Sequence, residues 1–78
     1  MLRYYRYTTD GDAILYRYYL TGGGDCGIVS INKKTGATSV MKQSEDDLGC
    51  RFAYKVIRHL ENFFVNDVYE DDGLIAWY

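Results

Sequence analysis

Hydrophobic and polar positions change period twice along this chain. From Leu2 to Thr8, large aromatic residues alternate with arginines and threonine. That period of two predicts a strand. Thr9-Asp10-Gly11-Asp12 is a turn signature, and Ala13 to Leu20 is the predicted return strand. On it Ile14, Tyr16, Tyr18 and Leu20 share one face, and Ala13, Leu15, Arg17 and Tyr19 the other. The first face is the expected core side. Thr21 to Asp25 holds three consecutive glycines and predicts a flexible connection. Gly27 to Asn32 and Ala37 to Lys42 follow as two more strands around an Asn32–Gly36 turn.

Then the period becomes helical. Phe52, Ala53, Val56, Ile57, Leu60, Phe63 and Phe64 form one broad apolar stripe. The predicted helix spans Ser44–Asn66. Ser44 is its expected cap, and three carboxylates at Glu45, Asp46 and Asp47 suit the positive end of a helix dipole. Leu48 extends the stripe one turn earlier. Asn66, which tolerates a left-handed backbone, is the expected stop. Asp67 to Gly73 reads as an acidic loop. Leu74 to Tyr78 is apolar and is expected to pack on the helix or to join the sheet as a short strand.

These elements predict an α+β fold in one domain spanning residues 1–78. An antiparallel sheet of four to five strands, from two consecutive hairpins and a short C-terminal strand, carries one amphipathic helix on one face. The absence of proline suits uninterrupted elements.

Charge adds an asymmetry. The net charge is −2, neither a nucleic-acid nor an acidic-tail signature. Residues 1–42 hold six Lys/Arg against three Asp/Glu, whereas residues 43–78 hold three against eight. No apolar run approaches the ~20 residues of a membrane span, and Met1 to Arg6 lacks the apolar segment of a leader peptide. The expected location is the cytoplasm, with Cys26 and Cys50 reduced.

Little in the sequence carries chemistry. Gly22-Gly23-Gly24 leads into a strand, and no Gly-Lys-Ser or Gly-Lys-Thr follows, so a phosphate loop is not supported. Cys26, Cys50 and His59 do not have metal-ligand spacing, and His59 lies too far along the helix from Cys50 to form a catalytic pair. The acidic run after the helix lacks the spacing of a calcium loop. No cofactor, metal or catalytic residue is expected.

The unusual feature is a load of nine tyrosines, six of them interleaved with arginines on the first two strands. Strand propensity accounts for those under the helix. On the opposite face, Tyr5, Tyr7, Leu15, Arg17 and Tyr19 point to an interface, because tyrosine and arginine are enriched there. The leading expectation is a small non-catalytic interaction module that pairs with itself as a dimer, or with another protein. The alternative is a single-stranded nucleic-acid binder using Arg3, Arg6, Arg17, Tyr5 and Tyr19, which the negative net charge disfavours. A small enzyme or ligand-binding subunit ranks last.

Overall fold

The computed structural model describes residues 2–20, 25–45, 47 and 51–75. Among the described residues, five strands and one helix follow in the order β1 (Leu2–Asp10), β2 (Ala13–Leu20), β3 (Cys26–Asn32), β4 (Thr38–Lys42), α1 (Arg51–Asn66) and β5 (Asp72–Ile75). The strands form one antiparallel sheet in the order β4-β3-β2-β1-β5. The fold is therefore α+β, with the helix on one face of the sheet. The triple glycine, Asp46, Leu48, Cys50 and the last three residues expected to pack with Leu74 lie outside the described residues.

The first hairpin closes over a two-residue loop, since Asp10 pairs with Ala13. Gly11 takes φ of 60° there, and glycine at the first loop position suits a type II′ hairpin. At the second hairpin the Asn32 side chain accepts hydrogen bonds from the Lys34 and Thr35 amides, at 2.9 and 3.1 Å. That Asx-type clasp bends the chain without any help from packing.

Alternation then sorts the side chains. Leu2, Tyr4, Ile14, Tyr16, Tyr18, Val29, Ile31 and Ile75 are buried beneath the helix, against its Ala53, Val56, Ile57, Leu60 and Phe63. Ile14, Tyr16 and Tyr18 thus face the core as their spacing predicts. The helix backbone comes closest to β3 and β4, where the core side chains are Val29, Ile31 and Val40. Over β1 and β2 the gap is filled by longer rings. Tyr4 and Tyr16 each stand 6.1 Å from Phe63, centroid to centroid.

Those rings need room, and glycines supply it. Gly27 pairs with Tyr18 and Gly73 with Tyr4. A Cβ on Gly27 would collide with the Tyr18 ring, and one on Gly73 with the Tyr4 phenol end. Each tyrosine lies across the bare backbone of the neighbouring strand, the close approach that strand glycines permit.

The helix start differs from the expectation. Ser44 is not its cap: the Ser44 hydroxyl donates to the Asp25 carbonyl at 3.1 Å. The cap is Asp47, fully buried, whose carboxylate accepts from the amides of Phe52 and Ala53 at 2.9 Å each. The same carboxylate accepts the Tyr18 hydroxyl proton at 2.8 Å. Three donors thus converge on one buried carboxylate at the helix start, where the helix dipole favours an acceptor of this kind.

The helix ends at Asn66, as expected, but the left-handed residue is the one that follows. Asp67, not Asn66, takes the left-handed conformation, with φ of 54°. The Val68 amide bonds the Phe63 carbonyl at 3.1 Å and the Asp67 amide the Phe64 carbonyl at 3.3 Å. That pair of bonds is a Schellman motif. Finally, Asp72 and Gly73 belong to β5 rather than to an acidic loop.

Candidate interaction surface

The sheet's second face carries the residues that alternate with the core. Register assembles them in rows. Leu74, Arg3, Tyr19 and Cys26 form one row across β5, β1, β2 and β3. Asp72, Tyr5, Arg17, Ile28 and Lys42 form the next, which reaches β4. Thr8, Leu15, Ser30 and Ser39 form a third. Between the second and third rows the register slips, leaving Tyr7 as the extra residue of a bulge in β1.

Tyr5, Leu15, Arg17, Tyr19 and Ile28 are half-buried, although no element among the described residues is packed over them. They shield one another. The Tyr5 and Tyr19 rings meet edge to face at 6.1 Å and 76°. The Arg17 guanidinium lies 4.0 Å from the centre of the Tyr7 ring, a cation–π distance. The Tyr19 and Tyr7 hydroxyls beside Arg17 raise its pKa further above an already high value. Arg3 donates to the Tyr5 hydroxyl at 3.2 Å. The result is a mutually braced Tyr/Arg layer lining a groove of about 880 Å³, with Leu74 at its β5 edge.

Four of the five residues expected at the interface, Tyr5, Tyr7, Arg17 and Tyr19, line that groove. Leu15 shares their face one row away. Arg6 also borders the groove, but its guanidinium is tied elsewhere. It donates to the Tyr69 carbonyl and pairs with Asp71 at 3.3 Å. Of the three arginines that line the groove, Arg3 and Arg17 are therefore the two that β5 does not engage. Leu74, Asp72 and Ile28 were not singled out by sequence. Alternation along Asp72–Ile75 was the available signal, masked by its four-residue length and acidic start.

The helix side of the sheet holds the buried phenols. Tyr4 donates to Glu70 at 3.4 Å and Tyr16 to the Glu70 carbonyl at 2.7 Å. Burial, then the neighbouring Glu70 carboxylate, pushes the Tyr4 phenol up to about 12. Burial also raises Tyr16. His59 stands 6.0 Å from Tyr4 on this side, whereas Cys26 shares the opposite face with Tyr19, so the two are separated by the sheet. Among the described residues no three His, Cys, Asp or Glu groups gather at metal-binding distance. No described helix is long and apolar enough to cross a membrane.

No known protein family matches the chain, and neither characterised proteins nor solved structures include a similar one.

Proposed function

We propose that this domain is a small, non-catalytic interaction module that associates with a second copy of itself through the Tyr/Arg face of its sheet. One observation carries the reading. A contiguous layer of Tyr5, Tyr7, Arg17, Tyr19 and Leu74 lies on the side of the sheet away from the helix, with Tyr7 and Leu74 about half exposed, at 47% and 54%. Apolar surface of that kind on a small protein marks a binding site. Tyrosine and arginine are the side chains that carry such contacts. A chain of 78 residues gains from a second burial surface.

Light scattering on a size-exclusion column, run over a dilution series, tests it. The expected mass rises from 9.0 kDa towards twice that value, and Tyr19→Ser lowers the apparent affinity without unfolding the chain. A monomer at every concentration refutes self-association.

The nucleic-acid alternative draws on Arg3, Arg17 and the same rings. The 76° angle between Tyr5 and Tyr19 gives successive bases no pair of parallel platforms to stack on. Quenching of intrinsic fluorescence by oligonucleotides, steeply weakened by salt, is the result that would favour it over a protein partner.

A further inference from the structure

The rows on the open face carry polarity, and that polarity selects one way for two copies to meet. Tyr5 lies on β1 with Asp72 beside it on β5 and Arg17 beside it on β2. Neighbouring strands are about 4.8 Å apart. An anion and a cation therefore flank Tyr5 at equal and opposite offsets. In the adjacent row, Leu74 and Tyr19 flank Arg3 in the same way.

Two sheets facing each other can be related by a two-fold axis parallel to the strands or by one perpendicular to them. A perpendicular axis keeps each strand opposite its own copy. Laid along the Tyr5 row, it sets Asp72 against Asp72 and Arg17 against Arg17, juxtapositions that oppose association. An axis running along β1 exchanges the two flanks instead. Asp72 then faces Arg17 of the second copy, twice over, and Leu74 faces Tyr19 of the second copy, also twice. Facing sheets stand about 10 Å apart, a gap that an arginine and an aspartate can span together.

Resting on the self-association proposed above, we infer that the dimer is isologous, with its two-fold axis along β1 over Tyr5 and two reciprocal Arg17–Asp72 ion pairs fixing the register. A closed, self-complementary contact of this kind stops at two copies. Arg3, also on β1, meets its own copy near the axis and opposes the association.

Charge reversal separates this arrangement from others. Arg17→Glu and Asp72→Arg each set like charges together at both pairs and weaken association about tenfold or more. Mixing the two variants restores both pairs at once, so a heterodimer forms from chains that pair poorly alone. Arg3→Ser tightens the wild-type dimer. Sedimentation velocity on each chain and on the mixture reads all of these, with circular dichroism confirming that each variant is folded. If wild type associates but the mixture sediments as the sum of its parts, the axis is wrong and self-association stands. If wild type stays monomeric throughout, both fall together.

Discussion

Replacing Asp47 by alanine tests the join between helix and sheet. The carboxylate is fully buried, caps α1 through the Phe52 and Ala53 amides and accepts the Tyr18 hydroxyl. Loss of an N-cap costs about 0.5–2 kcal/mol. Removing the carboxylate that the buried Tyr18 hydroxyl donates to costs about 1–3 kcal/mol more. The expected loss for Asp47→Ala is about 2–4 kcal/mol. A domain of this length has only about 4–12 kcal/mol in total. Urea unfolding followed by circular dichroism reads it as a lower midpoint at unchanged slope. The double variant with Tyr18→Phe should lose less than the two singles together, a coupling of at least about 0.5 kcal/mol. A stability for Asp47→Ala within about 0.5 kcal/mol of wild type would refute the buried cap. Full additivity with Tyr18→Phe would refute the link to the sheet.

The two tyrosine–glycine pairs should respond unequally. Gly27→Ala forces a methyl into the Tyr18 ring, which is completely buried and held by Asp47, and should cost about 1–3 kcal/mol. Gly73→Ala meets the phenol end of Tyr4 on a four-residue edge strand, which can shift, so a thermal melt should show a smaller loss. An equal or larger loss for Gly73→Ala would contradict that. The Tyr4 phenol, raised to about 12 from an ordinary value near 10, keeps its proton in the folded state after the unfolded chain has lost it. Its contribution is complete below pH ~10 and disappears as pH rises through ~12, by at most about 1.4 kcal/mol per unit. Spectrophotometric titration should lose a phenolate component near pH 12 in Tyr4→Phe, and the alkaline decline in stability should become shallower with it.

Period and turn chemistry made most of the fold legible. Gly11 and Asn32 mark the hairpins, β2 has the bounds its alternation suggested, and the stripe from Ala53 to Phe63 faces the sheet. The helix start was misleading because Ser44, Glu45 and Asp47 resemble a local cap. The cap instead reaches across several residues: Asp47 bonds amides five and six positions on. No local pattern encodes that reach, since it depends on where Tyr18 holds the carboxylate. The face with Tyr5, Arg17 and Tyr19 followed from alternation alone. The engagement of Arg6 with Asp71 did not, because it required knowing that β5 lies beside β1.

The placement of β1 has a consequence for the order in which the molecule is completed. This early strand sits inside the sheet, flanked by β2 on one side and by β5 on the other. During synthesis its second edge stays open until residues 72–75 have left the ribosome. The face beneath the helix stays bare until residues 51–66 have followed the hairpins. A nascent chain halted after β4 would present an unpaired strand edge and a row of uncovered tyrosines, the features that draw chains into aggregates. Closure of the sheet by the last strand is thus also what protects the first.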